Sequence, residues 1–168
     1  MRETSEGLEQ LQQVLDRSIE RAGDFLRNSF QMPHHSLSAA QLVRYFQGLQ
    51  VIALSTVTAK GEPRVAPIGA LFFRGHFYIP TLATAARTRH VLKRPAVSLT
   101  HFDGTDLAII VHGRAAVLTP EHPKFATLEA LHRERSGQSV RDWGEGVYLR
   151  VDPEVIYTFA RHPAQYPE

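Results

Sequence analysis

The sequence predicts a mainly β protein of the α+β class, a barrel of six or seven largely antiparallel strands with flanking helices and a helical extension at its N-terminus. Three observations predict it. Apolar residues at helical spacing dominate the first 48 positions, whereas from Val51 onward short β-branched and aromatic runs separated by turn residues take over. Most of these runs are joined by hairpin-length turns, which makes neighbours antiparallel and lets the sheet close on itself. Strands do not alternate regularly with helices, which argues against a doubly wound parallel sheet.

The extension, residues 1–48, carries Leu8, Leu11, Val14, Leu15, Ile19, Ala22, Phe25 and Leu26 at helical spacing, opposite Glu9, Gln12, Gln13, Asp16, Arg17 and Glu20. One amphipathic helix from Leu8 to Phe30, broken by Pro33, is expected. Ser38 opens a second helix: it can cap, Gln41 completes a capping box, and Leu37 with Leu42 can form a hydrophobic staple before Gly48 ends it.

Residues 49–168 form the body. Val51 to Thr58 reads as a strand, Ala59 to Pro63 as a turn, and Arg64 to Phe73 as the returning strand. Arg74-Gly75 turns into His76 to Pro80, and a short helix follows from about Thr84 to Arg94, ended by Pro95. Ala96 to Phe102 and Leu107 to Leu118 are two more strands around the turn Asp103-Gly104-Thr105. Thr119 as cap with Pro120 at the first helical position predicts a third major helix, ending near Gly137. Val147 to Val151 and Val155 to Phe159 predict a last strand pair joined through Asp152-Pro153, before a Pro-rich, extended tail.

Bulk composition narrows the function. A chain of 168 residues, 43% apolar and 21% charged, is a globular composition of single-domain size. No apolar run approaches the roughly 20 residues of a membrane span, and the polar start MRETSEGLEQ lacks the features of a signal peptide. No membrane association and a cytoplasmic location are therefore expected. The absence of cysteine excludes disulfides, thiolate metal sites and thiol catalysis, and a net charge of +2 makes no case for nucleic acid.

Local charge says more. Between Thr84 and Arg94 lie Arg87, Arg89, Lys93 and Arg94 without one acid. With Thr84 as cap, Arg87 falls in the first helical turn, where the helix dipole makes a cation unfavourable by ~0.3–1 kcal/mol. A phosphate on the loop Thr81 to Ala86 reverses that balance, because free amides and arginine then act together, and Ala83, Ala85 and Ala86 let the backbone come close. A solvated basic helix face is the alternative, and the charges do not choose. Pro67 and Gly69 inside one strand suggest a backbone that faces something other than a neighbouring strand, such as a planar ring; a bulge at a barrel edge is the alternative.

These residues resemble a known family. The hairpin VIALSTVTAKGEPRVAPIGALFF, the segment TLATAARTRHVLKRPAVSLTHF and the strand VHGRAAVL are similar, in order and spacing, to the pyridoxamine 5′-phosphate oxidase-like, FMN-binding split β-barrel proteins. The resemblance implies a flavin-type cofactor held between two chains of a homodimer. Arg87 falls where the family usually has a phosphate-binding lysine, Ala85 where it has serine, and Thr81 where a strand-end threonine meets the cofactor. The residues implied for cofactor binding are Ala66, Pro67, Ile68, Gly69, Thr81, Ala85, Ala86, Arg87 and Arg89. The implied activity is an oxidoreductase using FMN, or alternatively the deazaflavin coenzyme F420, on a small molecule. A non-catalytic carrier, store or sensor of such a cofactor or of a tetrapyrrole is the alternative.

Two departures shape that implication. The family's second-strand arginine falls at about Ala66, so Arg64 could act only from elsewhere, and the C-terminal substrate signature of the vitamin B6 oxidases is missing from ARHPAQYPE. Oxidation of pyridoxamine phosphate is therefore not expected. No catalytic acid or base stands out. His101 could donate to a substrate or ring oxygen, with His112 a similar candidate, and Trp143 could cover the ring or pack the barrel end. His34, His35, His122 and His132 form no metal-ligand pattern, and Glu129, Glu134 and Asp142 read as solvated charges.

Overall fold

The computed structural model describes residues 3–168. The expected helix from Leu8 to Phe30 is two helices, α1 (Ser5–Arg21) and α2 (Asp24–Ser29). The break is at Ala22, whose backbone is extended, and Gly23 caps α2. Arg27 stabilises it by folding back and donating to the carbonyl of Ile19 at 2.8 Å, which also accepts from the Ala22 amide, and to that of Glu20 at 3.1 Å. The apolar spacing runs on through the break, so periodicity conceals it. α3 (Ala39–Tyr45) starts with the Ser38–Gln41 capping box as expected, and Leu37 and Leu42 are both buried.

Six strands follow: β1 (Gln50–Val57), β2 (Pro63–Phe73), β3 (His76–Leu82), β4 (Ala96–Asp103), β5 (Leu107–Leu118) and β6 (Gly146–Ala160). They close in the order β1-β2-β3-β6-β5-β4 with every pair antiparallel. The expected final strand pair is one strand, because Asp152-Pro153 does not turn. It lies at a register shift opposite His112 and Gly113, where the ladder tolerates a residue without N–H. Gly113 makes the shift possible: a Cβ there would stand 2.2 Å from the Asp152 carbonyl oxygen.

Two helices flank the barrel. α4 (Ala86–Lys93) is capped by Ala85 and not by Thr84. α5 (Phe125–Ser136) starts five residues later than Pro120 suggests, after a turn over 119–124. The reason is Pro123, which disfavours helical backbone at His122. Its end at Gly137, with φ of 72°, is as expected.

One core cluster runs through the barrel and out to α1 and α3, joining Phe72, Phe77, Ile79 and Leu99 to Phe46, Leu42, Leu15 and Leu11. A second lies under α5 and joins Phe125, Leu128 and Leu131 to Leu71, Tyr78 and Tyr148. Each such side chain contributes ~1.5–3 kcal/mol on burial. α5 is also pinned through Arg135, which donates to the Phe72 carbonyl at 2.7 Å and the Phe46 carbonyl at 3.2 Å.

Candidate ligand cavity

β2 and β3 pair only between Leu71–Phe73 and His76–Tyr78. Beyond that point, among the described residues, Pro63 to Ala70 has β1 on one side and no strand on the other, while Ile79 to Leu82 pairs with β6 alone. The β1–β2 register passes through Pro67 and Gly69 without a bulge. An open seam, not a distorted ladder, is therefore what these two residues mark.

The seam opens into a cavity of about 360 Å³, within the usual small-molecule range of ~300–1,000 Å³. Its walls come from Leu49, from Ile68 and Gly69 of β2, from Pro80, Thr81 and Leu82 of β3 with Ala85 after it, from Arg87 of α4, and from His132, Gln138 and Trp143 on the α5 side. Gly69 is tight against its neighbour, since a Cβ would lie 3.0 Å from the Leu49 side chain. A second hollow of about 260 Å³ shares Arg87 and is lined by Arg64, Ala66, Ala86 and His90 among others. Arg64 and Ala66, two apart on one strand, thus share a wall.

The loop from β3 into α4 is held closely. Thr88 Oγ1 donates to the Leu82 carbonyl at 2.7 Å, and the Ala83 amide donates to the Glu145 carbonyl at 2.8 Å. Arg87 Nη1 donates to Thr81 Oγ1 at 3.1 Å. Among the described residues no side chain caps α4; the Thr88 amide donates to the Ala85 carbonyl at 3.1 Å, which leaves the amides of Ala86 and Arg87 available beside the Arg87 side chain. Arg89 instead donates to the Thr84 carbonyl at 2.6 Å, and Arg64 pairs with Glu62 at 2.7 Å. Of the nine residues implied for cofactor binding, Ile68, Gly69, Thr81, Ala85 and Arg87 line the larger cavity and Ala66, Ala86 and Arg87 the smaller. Pro67 and Arg89 are exposed and line neither.

The α5 wall holds a polar chain that the sequence reading missed. Glu129 is not a solvated charge: it accepts from Tyr148 Oη at 2.5 Å, from the Val140 amide at 3.3 Å and from Ser139 Oγ. Burial opposes its ionisation, but these hydrogen bonds outweigh that and hold its carboxyl below the ordinary range. Tyr148 Oη also meets His132 Nδ1 at 3.1 Å. Burial pushes the tyrosine up and the imidazole down, which keeps both neutral. The i, i+3 spacing of Glu129 and His132 puts both on one side of α5, but their link runs through Tyr148, sixteen residues beyond the histidine.

The other named histidines have different neighbours. His101 is buried, with Nε2 on Tyr45 Oη at 2.7 Å and Nδ1 on the Val51 carbonyl at 2.7 Å, so neither nitrogen is free for a ligand. His112 is exposed on the outer face with Ser98 Oγ 2.7 Å from Nδ1. Trp143 lines the cavity and packs edge-on against His132, with ring centroids 5.7 Å apart.

This architecture is shared with solved structures. A conserved hypothetical protein from Mycobacterium tuberculosis superposes with a TM-score of 0.65 at 16% identity, over 81% of this chain and 92% of that one. The heme storage protein HutZ of Vibrio cholerae gives 0.60 at 18% identity, over 72% and 91%. An F420 reductase gives 0.54 at 18% identity, over 66% and 91%. At these identities the likeness is one of fold. No curated protein matches the chain in sequence. The sequence profile of the pyridoxamine 5′-phosphate oxidase family matches residues 39–160, and the chain belongs to that family.

Proposed function

We propose that this chain binds a phosphate-bearing flavin-type cofactor, FMN in the first instance and deazaflavin F420 as the alternative, and uses it as an oxidoreductase on a small molecule. The observation that carries the reading is the position of Arg87 in the walls of both cavities, beside the uncapped start of α4. The residues fit such a group in two halves. Arg87, Arg64 and the α4 amides form a cationic end suited to a phosphate. Leu49, Ile68, Pro80 and Leu82 form an apolar end next to the open edge of β2, suited to a flat ring that takes main-chain hydrogen bonds.

When bound, the ring supplies hydride chemistry at its centre; the protein supplies grip, orientation and exclusion of water. Arg87 holds the anion, the β2 edge offers backbone groups, and Trp143 closes the open side.

Pairing of two chains completes the reading. The outer face of β2, β1, β4 and β5 carries the rows Val65–Ser55–Ser98–His112 and Pro67–Ala53–Thr100–Ile110, with Val51, Val65 and Phe102 more than 60% exposed. Within β5, Ile109, Val111 and Ala115 face the core, so the outer face is less apolar than the bare run suggests. We place the partner of a cytoplasmic homodimer on this face.

The test is an absorption spectrum of the purified protein, alone and after reconstitution with FMN, F420 or hemin. Tight FMN or F420 binding that depends on Arg87, with bleaching on addition of reductant, supports the reading. A tight Soret band with no flavin binding would replace it with a tetrapyrrole carrier.

A further inference from the structure

We propose that His132 Nε2 is a hydrogen-bond acceptor built into the ligand cavity, and that it receives the imide N–H of the flavin-type ring. The proposal rests on the reading that the cavity holds such a ring and adds the residue that recognises the ring's imide donor.

Proton accounting along the Glu129–Tyr148–His132 chain carries it. The ionised Glu129 carboxylate can only accept, and it takes the single O–H of Tyr148 at 2.5 Å. The Tyr148 oxygen therefore has only lone pairs left for His132 Nδ1 at 3.1 Å, and Nδ1 must carry the imidazole proton. In a neutral ring this leaves a lone pair on Nε2. His132 is fully buried, and its Nε2 has no hydrogen-bond partner among the described residues. A buried acceptor without a partner carries a desolvation penalty, and the usual remedy is a donor that the free chain does not provide.

The cavity names the class of donor. His132 is part of its wall; of the other polar side chains there, Arg87 is a donor suited to an anion, Thr81 accepts from Arg87, and Gln138 can both donate and accept, which leaves His132 Nε2 as the buried group that can only accept. The acceptor comes from α5 and the cationic group from α4, two different walls of the cavity. A ligand that fits carries an anion at one end and an N–H at the other. Oxidised flavin and deazaflavin rings meet this condition with the imide N–H between two carbonyls. Trp143, 42% exposed, lines the same cavity and stands edge-on to the imidazole, so its emission senses a ligand bound there.

The chain's only tryptophan is thus a reporter of occupancy. The experiment titrates the full-length protein with FMN and with N3-methyl-FMN, which lacks the imide N–H, following Trp143 emission and flavin absorbance. Wild-type protein should bind the methylated ring about tenfold more weakly, one hydrogen bond's worth. His132→Phe should lose about tenfold for FMN and no longer distinguish the two, while His132→Gln, which keeps an acceptor, should recover part of the preference. Equal affinity of wild-type protein for the two rings overturns the proposal without any variant. So does ¹⁵N NMR showing the Nε2–H tautomer or a charged ring at neutral pH, which needs no cofactor. If wild-type FMN binding is absent or indifferent to Arg87→Ala, the cofactor reading itself fails and this proposal falls with it. Hemin binding that depends on His132 would reassign Nε2 as an iron ligand and overturn it too.

Discussion

Arg87 reaches back from the first turn of α4 to Thr81 at the end of β3, with 3.1 Å between Nη1 and Oγ1. Thr81 is 4% exposed, so this contact fixes the guanidinium against a rigid strand before any anion arrives. Arg87→Ala is expected to weaken FMN binding by ~1.5–3 kcal/mol, the range for a charge-assisted hydrogen bond. Thr81→Val should cost less, because the charge stays and only its orientation loosens. Riboflavin, without the phosphate, should bind both variants as it binds the parent. Isothermal titration of the three proteins checks this, and an FMN affinity indifferent to Arg87 would displace the phosphate from α4.

The remaining cations separate FMN from the deazaflavin coenzyme with its oligoglutamate tail. Lys93 is exposed, and Arg94 donates to the Ala59 carbonyl at 3.4 Å, away from both cavities. The Lys93→Glu/Arg94→Glu double variant should bind FMN nearly as the parent does. If the basic strip serves a tail, F420 affinity should instead fall in this variant, and fall with salt in the parent, since exposed pairs are screened over ~10 Å at 0.1 M. Equal losses for both cofactors would reject the placement of the phosphate as well as the role of the strip.

How far the sequence led differs between fold and site. Period-two runs, Gly turns and the Ser38 capping box are local, and they located the barrel and α3 well. The failures are places where tertiary contacts overrule a local signal: Arg27 closing α1 early, Pro123 delaying α5, and Gly113 letting β6 run straight through Asp152-Pro153. Arg87, Thr81, Ile68 and Gly69 come together as their chain neighbourhood suggests. Glu129, Tyr148 and His132 do not announce themselves, since a pair on one helix becomes a chain only when a strand from elsewhere supplies the hydroxyl.

Pairing through the outer sheet face has a direct readout. Light scattering at micromolar concentration should give twice the 18.9 kDa of one chain. Phe102, 65% exposed on β4, belongs to that face, and Phe102→Glu should shift the protein toward monomer with its far-ultraviolet spectrum unchanged. A monomeric parent protein would dismiss the dimer.

Acid should weaken the fold in two stages. Burial holds the imidazoles of His132 and His76 below the unfolded value of 6.5, in His76 despite the attraction of Asp152. Between the folded and unfolded values the unfolded chain binds more protons, so stability is full above about 6.5 and declines as pH falls through the folded values. Glu129 adds a later loss: its carboxyl is depressed in the fold, and its contribution fades as pH falls below the ordinary carboxylate value of 4.5. Urea midpoints should be flat from about pH 8 to about 7 and fall below that. His132→Gln should start lower at neutral pH and fall less steeply in the first stage. An unaltered slope would show that His132 charges freely in the folded protein.

Gly113→Ala tests the register shift. Its Cβ would need the space of the Asp152 carbonyl, 2.2 Å away, and neither backbone can retreat without breaking the β5–β6 ladder. A loss of ~1–3 kcal/mol or more is expected from chemical denaturation, as for other forced overpacking. A neutral substitution would mean that the ladder slides.

The half-paired length of β2 also sets how the molecule breathes. Tyr148 to Val151 have β3 on one side and β5 on the other, so their amides open only when much of the barrel does. Pro63 to Ala70 are held from β1 alone and supply the whole β1–β2 pairing, so a fluctuation that frees them opens the barrel between β1 and β2 while the β3-β6-β5-β4 pairings need not break. Hydrogen exchange should therefore be fast along the first part of β2 and slowest in β6. A guest of the cavity can then enter and leave through a hinge in one strand while the host stays folded.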